Sequence, residues 1–465
     1  MLRTAFTWGL AGLLAVLIVS WGAIPLGSLD LYWQVRTGAM ALEAGRFPLV
    51  DGFSYVLEGA RWNNHEWLYE LGVAALQHWL GWGWFRFQAL LLPALVLVAL
   101  GWRARRWAGA PVGLLVASSA FLLFSAKFLP LPQTLSMALF FLAAELFLRG
   151  RWLRSAGWRI ALAAFMLVWG NLTAEALLFL PFLLLVQGGA IWRRRKKLSQ
   201  GELARASGWL LAACLLPMVN PPWASSFDYL LHGTGVNVAL NAEFTSIFAP
   251  AATVSPLVKW FARVLCVGAV VWCVKRFKRG VLPVILAVIG ACMFERNLWL
   301  LAFALASVVA SMRHALSRPR AQGLALAATA LMLGAFVLDT RWVSFIGKPM
   351  LTARWWSEHI DARFVPVACA EQLKSDRKLK VFTTRLWASW VLWQAPNAQI
   401  FVDGRNREYP PWATRAAEEI AAGGPATKWM LEESGTEIVL LPPDWSGPEP
   451  WHRVFAAPGC AVFSR

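Results

Sequence analysis

The stretch PLGSLDLYWQVRTGAMALEAGRFPLVDGFSYVLEGARWNNHEWLYE, residues 25–70, is the segment around which the rest of the chain is arranged. It follows an apolar run, residues 5–24, of about the 20 residues that are needed to cross a bilayer. Six of the seven acidic side chains among residues 1–155 lie in this stretch, beginning with Asp30 shortly after the apolar run. Charged groups are costly to place at a membrane boundary, so the segment predicts a functional site. Three further candidates for this site are Asp51, His65 and Glu66.

The composition predicts a polytopic membrane protein. Hydrophobic residues make up 58% of the 465 positions and charged residues only 15%, which argues against a soluble globule. The net charge of +18 would also suit a nucleic-acid-binding protein. Here, however, the basic residues fall in short clusters between apolar runs, as topology signals do in membrane proteins. We therefore expect the chain to lie in membrane lipid and to have no nucleic-acid partner.

The basic clusters also determine the predicted topology. Residues 67–80 are too few to span a bilayer, and we predict that they form a helix at its outer interface. With this helix excluded, about eleven transmembrane helices place every basic cluster and the N-terminus on the cytoplasmic face. The predicted spans are 5–24, 84–101, 111–127, 133–149, 160–172, 174–192, 208–219, 256–274, 281–295, 297–312 and 321–339. A second extracytoplasmic segment, residues 220–255, contains no Lys or Arg and carries Asp228, His232 and Glu243.

The chain changes character after residue 340. We predict two domains, a transmembrane domain over 1–340, which includes the first periplasmic loop with its interfacial helices at 25–83, and a small periplasmic α/β domain over 341–465. The predicted strands of the second domain are 379–383, 399–402, 437–441 and 460–464, and its predicted helices are 411–422 and 425–434. Its two cysteines, Cys369 and Cys460, should be bonded, because disulfides persist outside the cytoplasm.

Several short motifs follow one another in a definite order near the N-terminus. They are Asp30, YWQVRTGAMALEAG, Pro48-Leu49-Val50-Asp51, WLYELGVAALQHWLG, and then Gly83 and Arg86. This order resembles the amino-terminal part of the GT-C superfamily, the integral-membrane glycosyltransferases that use polyprenyl-phosphate sugars. One difference is that many members have a second acid after the first, whereas Leu31 follows Asp30 here.

Motifs later in the chain are similar to those of a bacterial branch of membrane proteins that resemble the GT-C superfamily. They are Trp169-Gly170-Asn171, Asn220-Pro221, and Asp403-Gly404-Arg405 followed by Tyr409. The branch usually carries a His two residues after the Asn of the first motif, whereas this chain has Thr173 there and Glu175 close by. The resemblance therefore extends over most of the chain. At two positions this chain lacks the residue that is usual in the similar proteins: Leu31 replaces the second acid, and Thr173 replaces the histidine.

The resemblance implies a role for each candidate residue. Asp30 would be the catalytic general base, and Arg296 would bind the lipid phosphate, because its planar guanidinium suits phosphate and is expensive to embed in an apolar stretch. The acceptor pocket, or a pocket for a metal or the donor, would be formed by Asp51, His65, Glu66, Asn171 and Glu175. Carboxylate and imidazole ligands would permit a divalent cation without selecting which one.

Each candidate also has a structural interpretation. Asp30 would then be a solvated end of a span, and Asp51 a turn residue after Pro48. His65 and Glu66 would start an interfacial helix, where an early Glu favours the helix dipole. Arg296 would pair with a carboxylate such as Glu295. The Asp403-Gly404-Arg405 motif would be a tight turn after a strand, which is the interpretation we favour for it.

The predicted function is transfer of a sugar from a polyprenyl-phosphate donor to an extracytoplasmic acceptor, which would be a glycan, a lipid or a protein. The resemblance places this enzyme in the inner membrane of a bacterium. No P-loop or Rossmann glycine motif is present, in agreement with a lipid-linked donor. Two alternatives remain: a polymerase or ligase that moves whole lipid-linked glycans, and a non-catalytic lipid-binding or scaffold subunit of an envelope-assembly complex.

Overall fold

The computed structural model describes residues 2–22, 26, 30–148, 155–220, 246–248, 255–275, 281–338, 359–360, 365–405 and 408–465. The candidates Asp228, His232 and Glu243 of the second extracytoplasmic segment lie outside these ranges, as does Pro221.

Helices account for most of the described chain. In chain order they are α1 Leu2–Gly22, α2 Leu31–Ala44, α3 Trp67–Leu80, α4 Gly83–Ala108, α5 Ala110–Phe124, α6 Pro132–Phe147, α7 Ala156–Leu172, α8 Leu180–Leu183, α9 Gly189–Arg194, α10 Gln200–Leu215, α11 Pro256–Lys275, α12 Val281–Met293, α13 Leu300–Ser311, α14 Arg313–Leu316, α15 Pro319–Leu338, α16 Val367–Glu371, α17 Arg385–Gln394, α18 Pro411–Ala422 and α19 Thr427–Glu433. The strands are β1 Leu379–Thr383, β2 Ala398–Ile400, β3 Ile438–Leu441, β4 His452–Ala457 and β5 Cys460–Ser464. By contacts, the chain divides into two compact units.

The first unit, called here the helical unit, comprises Met1–Ile24, Arg86–Val219 and Val238–Ser357. A continuous apolar core runs through its described helices. Each of the eleven predicted spans overlaps helix, and five helical segments of the described chain are long and apolar enough to cross a membrane. These five are Arg3–Trp21, Gly83–Ala108, Ala174–Arg194, Pro256–Lys275 and Pro319–Leu338. The protein is therefore a multi-pass membrane protein, while the number of eleven crossings stays a prediction.

Regular helix is interrupted at two junctions between predicted spans of the helical unit. After α7 the chain becomes extended at Thr173 and continues as a 3₁₀ turn over Ala174–Phe179. Between α12 and α13, Phe294 is extended and Glu295–Asn297 forms another 3₁₀ turn. Interrupted helices leave backbone groups without helical partners, which is tolerated within a membrane only where protein or a cavity surrounds them. The candidates Glu175 and Arg296 lie at these two interruptions.

The second unit, called here the loop–sheet unit, comprises Pro25–Phe85, Asn220–Asn237 and Glu358–Arg465. Its sheet has the order β2-β1-β3-β5-β4, in which β2, β1 and β3 are parallel while β5 is antiparallel to both β3 and β4. The first loop extends this sheet at β2: the Ile400 amide donates to the Phe53 carbonyl at 2.8 Å, and the Tyr55 amide donates to the Ile400 carbonyl at 3.2 Å. Thus residues that are far apart in the sequence form one sheet.

The helices α2 and α3 of the first loop pack closely against each other, and this contact requires a glycine. A Cβ atom at Gly38 would collide with the backbone carbonyl of Glu70 and with the Ala74 side chain, so only glycine permits this approach. Between the two helices, Leu49–Trp62 folds back on itself, with the Trp62 amide donating to the Leu49 carbonyl at 3.0 Å.

The predicted disulfide is confirmed. Cys369 of α16 and Cys460 of β5 are bonded, with their Cα atoms 6.3 Å apart. The predicted strands and helices of the C-terminal domain are also present, with β1, β5 and α18 at the predicted bounds. Three elements were not predicted, namely α16, α17 and β4.

Candidate functional site

Asp30 lies immediately before α2, at the position where an aspartate ordinarily caps a helix. Its side chain makes no capping hydrogen bond to the backbone of α2. Instead, Oδ1 of the half-buried Asp30 accepts a hydrogen bond from the indole Nε1 of Trp33 at 3.2 Å. A carboxylate that caps a helix ordinarily accepts the backbone N–H of the second or third helical residue. At Asp30 the indole N–H of Trp33 takes the place of that backbone donor.

The first turn of α2 is held from the C-terminal domain. The Trp33 backbone amide donates to Oγ of Ser389 in α17 at 2.9 Å. Beside this bond the Tyr32 ring packs edge-on against Trp390 with centroids 4.9 Å apart, and against Trp82 at 5.1 Å. Since Ser389 and Tyr32 are fully buried, the start of α2 has a fixed position within the loop–sheet unit.

Asp51 belongs to a buried ionic cluster. Its Oδ1 accepts hydrogen bonds from the amides of Phe53 at 2.9 Å and Ser54 at 2.7 Å, which is the turn role considered for it. Its Oδ2 pairs with Nη1 of Arg405. Arg405 also binds Asp403, through Nε to Oδ2 at 2.8 Å and through Nη2 to the same oxygen at 2.6 Å. The Asp403-Gly404-Arg405 motif is therefore more than a tight turn, because it joins the first loop to the sheet.

Aromatic rings complete the surroundings of Arg405. The guanidinium carbon lies 4.7 Å from the centroid of Trp62 and 5.3 Å from that of Phe53, which are cation–π distances. Its Nη2 donates to the Tyr409 hydroxyl at 3.3 Å. Burial, together with the nearby Asp403 carboxylate, raises the pKa of Tyr409 well above its usual value, so this hydroxyl stays neutral. The DGR-x-x-x-Y motif thus supplies the cation and two of its hydrogen-bond acceptors, Asp403 and Tyr409.

Glu66 and Glu70 belong to a second polar cluster, at the start of α3. Oε2 of Glu66 accepts from Nε2 of Gln34 at 2.9 Å, and its Oε1 lies 3.5 Å from Nε2 of His65. Nδ2 of Asn64 binds Oε2 of Glu70. Burial raises the pKa of Glu70 to about 8; the Asn64 hydrogen bond opposes this shift, and the Glu66 carboxylate adds to it. Glu70 is therefore a neutral acid near pH 7.

The suggested cation ligands do not fit a metal ion. Both oxygens of Asp51 are engaged, one by two amides and the other by Arg405. Among the residues that the structure describes, no three His, Cys, Asp or Glu side chains are grouped so that they could hold a metal. We therefore derive no catalytic step through a cation at Asp51, His65 and Glu66.

In the helical unit, Arg296 forms a buried ion pair. Its Nη2 lies 2.7 Å from Oε1 of Glu175, and both side chains are less than a tenth exposed. The neighbouring Glu295, which was the suggested partner, instead pairs with Lys259 of α11, again with both side chains buried. Two ion pairs thus meet at one 3₁₀ turn, and each contains one cation and one carboxylate. The other oxygen of Glu175, Oε2, is buried and has no hydrogen-bond partner among the residues that the structure describes.

Asn171 links α7 to the segment after α10 by hydrogen bonds. Its Nδ2 donates to the carbonyls of Leu167 at 2.8 Å and Val219 at 2.9 Å. The preceding Gly170 lies against the backbone of Pro217, where a Cβ atom would collide. Nε1 of Trp169 donates to Oγ of Ser136 at 2.9 Å. All three residues of the Trp-Gly-Asn motif therefore have packing or hydrogen-bonding roles.

The structure brings the predicted site residues together in two sets. Asp30, Asp51, His65 and Glu66 belong to the loop–sheet unit, where Glu66 contacts His65 and Asp51 contacts Arg405. Asn171, Glu175 and Arg296 belong to the helical unit, where the last two are paired. The sequence analysis did not identify Ser389 or the pairing role of Lys259. A signal was available for both, since each is a buried polar residue in a mostly apolar helix.

Comparison with known proteins identifies the fold. No family model and no curated protein sequence matches the chain. Among solved structures, ArnT from Cupriavidus metallidurans in the apo state is 14% identical, with a TM-score of 0.55, over 99% of this chain and 98% of that one. The same protein bound to undecaprenyl phosphate is 13% identical, with a TM-score of 0.52, over 99% of this chain and 97% of that one.

A second similar structure is the oligosaccharyltransferase of Archaeoglobus fulgidus tethered with an acceptor peptide. It is 9% identical to this chain, with a TM-score of 0.54, and the match covers 94% of this chain and 69% of that one. Both proteins are GT-C membrane glycosyltransferases, so the resemblance predicted from the sequence is confirmed at the level of the fold. At these identities the likeness shows the fold alone.

Proposed function

We propose that this protein is a GT-C glycosyltransferase that moves a sugar from a polyprenyl phosphate to an extracytoplasmic glycan, lipid or protein. The observation that carries the proposal is the fold match to ArnT over 99% of this chain and 98% of that one, which includes both the membrane helices and the C-terminal domain. ArnT has been seen with undecaprenyl phosphate, and an archaeal neighbour with a dolichol phosphate. These ligands support a lipid-linked donor for the present chain.

In the proposed reaction Asp30 is the general base. Its carboxylate takes the proton from an acceptor hydroxyl or amine as that atom forms a bond to the anomeric carbon of the sugar. The bond between the sugar and the phosphate oxygen breaks at the same carbon, and the polyprenyl phosphate leaves as an anion. The Trp33 indole, which donates to Asp30 Oδ1, orients the carboxylate and favours its charged form.

Arg296 is the proposed contact for the lipid phosphate. Its planar guanidinium can make two parallel hydrogen bonds to phosphate oxygens. In the structure Arg296 is already paired with Glu175. A bound phosphate would therefore either displace the Glu175 carboxylate from the guanidinium or bind to the guanidinium together with it. The buried pair keeps a cation at the helix interruption at a lower desolvation cost than an isolated charge.

The chain is proposed to lie in a bacterial inner membrane with its N-terminus in the cytoplasm and its C-terminal domain in the periplasm. The positions of the basic clusters support this orientation, because Lys and Arg favour cytoplasmic loops. The disulfide between Cys369 and Cys460 also supports it, since disulfides are stable in an oxidising compartment.

The Asp30→Asn variant tests the proposal. Asparagine keeps the size of the side chain but cannot accept the proton, so transfer from synthetic prenyl-phosphate sugars should fall by about 10²–10⁴-fold. The matched control is Glu43→Gln, which neutralises an exposed carboxylate on the same helix and should leave the rate unchanged. Wild-type turnover by purified Asp30→Asn would eliminate the general-base role.

The alternatives give different results in the same assay. A scaffold subunit would bind undecaprenyl phosphate without turnover by the wild-type chain, and the occupation of Arg296 by Glu175 is the observation that favours this alternative. A polymerase or ligase would consume oligosaccharide-linked donors and leave single-sugar donors unchanged.

A further inference from the structure

We propose that Ser389, in the C-terminal domain, is a positioning residue for Asp30: it caps α2 in place of the aspartate and so keeps the Asp30 carboxylate turned toward Trp33. This inference rests on the proposed catalytic role of Asp30. Ser389 would act through the conformation of that side chain and would not touch the substrate.

The first step of the argument concerns the amides at the start of α2. The first four N–H groups of a helix have no partner within it, and a buried amide left unpaired is costly. Aspartate just before a helix normally removes one of these costs by accepting the N–H of the second or third helical residue. Trp33 is the third residue of α2, so its amide is the ordinary target of the Asp30 carboxylate.

The second step is that another residue already accepts this amide. Oγ of Ser389 lies 2.9 Å from the Trp33 nitrogen, in a fully buried position. The Asp30 side chain makes no capping hydrogen bond, and its Oδ1 accepts from the Trp33 indole. One residue, Trp33, therefore donates twice: its backbone N–H goes to Ser389 and its side-chain N–H goes to Asp30.

The third step is that Ser389 is held firmly enough to do this. It lies in the middle of α17, between Trp387 and Trp390, which are both buried. The neighbouring Trp390 ring packs edge-on against Tyr32, the residue before Trp33. A lone hydroxyl in this apolar helix has no capping role within α17 itself, whereas it meets an orphan amide of α2.

The arrangement matters for catalysis because capping α2 would lower the basicity of Asp30 more than its hydrogen bond from the Trp33 indole does. Hydrogen bonds from backbone amides stabilise the charged carboxylate and lower its pKa, and a helix N-terminus adds to this effect. An Asp30 that turned to cap α2 would be a weaker base and would point along the helix. Ser389 prevents that rearrangement by taking the amide first.

The test is the pH dependence of transfer by Ser389→Ala. Without the hydroxyl, Asp30 should turn to accept the Trp33 amide, so kcat should fall by about tenfold and the acid limb of kcat/KM should move about one unit lower in pH. The matched control is Thr383→Val. It removes an equally buried hydroxyl of the same domain, one that has no hydrogen-bond partner in the described part of the chain, and both rate and pH profile should be unchanged.

A second variant gives a shift of opposite sign. Trp33→Phe removes the indole donor to the Asp30 carboxylate while the amide bond to Ser389 is kept, so the acid limb should move to higher pH. This variant keeps the inference testable if Ser389→Ala does not fold. An unshifted acid limb in Trp33→Phe would contradict the proposal.

A double variant separates positioning from general stability. If Ser389 acts through Asp30, then Ser389→Ala should cause no further loss in an Asp30→Asn background. Equal losses in both backgrounds, or a loss with an unshifted acid limb, would overturn the inference. Full activity of Asp30→Asn would instead refute the proposed function, and an inactive Asp30→Asn together with a wild-type Ser389→Ala would refute this inference alone.

Discussion

Replacing Arg405 by glutamine should destabilise the loop–sheet unit more than replacing Asp51 by asparagine, although the two residues form the same ion pair. The cluster contains two carboxylates, those of Asp51 and Asp403, and one guanidinium. The relative exposures are 4% for Asp51, 0% for Asp403 and 6% for Arg405, so bulk water cannot replace a lost partner. The order of the two effects follows from the charge that each change leaves behind.

The magnitudes differ because only one substitution leaves an uncompensated charge. Arg405→Gln leaves two buried carboxylates facing each other, and removal of one partner of a buried pair costs about 3 to 5 kcal/mol. Asp51→Asn leaves Arg405 bound to Asp403, and the asparagine oxygen can still accept the amides of Phe53 and Ser54. It loses one charge-assisted hydrogen bond, which contributes roughly 1.5 to 3 kcal/mol.

The assay measures unfolding of the detergent-purified variants, and protease cleavage in the C-terminal domain reports the unfolded fraction. Measurements at about pH 5 and about pH 8 add a second criterion, because protonation of a carboxylate would relieve the repulsion in Arg405→Gln. That variant should therefore lose less stability at the lower pH. The reasoning would be refuted if Asp51→Asn destabilised as much as Arg405→Gln, or if the loss in Arg405→Gln were independent of pH.

Three other predictions can be tested in the same preparations. The pKa of Glu70 is raised to about 8 from a usual value of 4.5, so burial of this carboxyl reduces the stability of the fold increasingly as pH rises from about 4.5 to about 8. Glu70→Gln should therefore be more stable than wild type by about 3 kcal/mol near pH 7, with no gain near pH 4. A flat difference across this range would contradict the assignment. Glu175→Gln should bind undecaprenyl phosphate at least as tightly as wild type, whereas Arg296→Gln should bind it less; a loss in both would indicate a purely structural pair. Reporters fused after Arg320 and Arg465 should read cytoplasmic and periplasmic respectively, and a cytoplasmic signal at the second position would overturn the proposed orientation.

Helices and strands could be predicted where a few neighbouring residues carry a clear sequence pattern. The strands β1 and β5 are short runs rich in branched and aromatic residues with turns at both ends, and they appear at the predicted bounds. By contrast, α17 has the sequence RLWASWVLWQ, in which every residue from Trp387 to Leu392 is buried, so the helix lacks a clear polar face. The strand β4 is mostly exposed and lies at the sheet edge, so it lacks an alternating pattern of burial.

The candidate site was predictable in its members but less so in its pairings. Asp30 and Asp51 stood out because carboxylates near a membrane are costly, and that argument needs only the neighbouring residues. The partner of Asp51 could not be identified in this way, since Arg405 is 354 residues away in the sequence. The same limit applies to Arg296, for which the adjacent Glu295 was suggested while the actual partner is Glu175. Long-range pairing depends on how the whole chain folds, and a single sequence without that fold does not specify it.

The order of synthesis gives the shared sheet of the loop–sheet unit a further meaning. Residues 30–66 emerge from the ribosome more than 300 residues before Ser389 and Arg405 exist. During that interval the amide of Trp33 lacks its acceptor, Asp51 lacks its cation, and the strand-like segment at Phe53 has no neighbouring strand to join. A nascent or prematurely terminated chain therefore carries the carboxylate of Asp30 without Ser389, the residue proposed to position it. Contacts made by residues that are synthesised later, Ser389 and Arg405, therefore fix the position of the segment that is synthesised first.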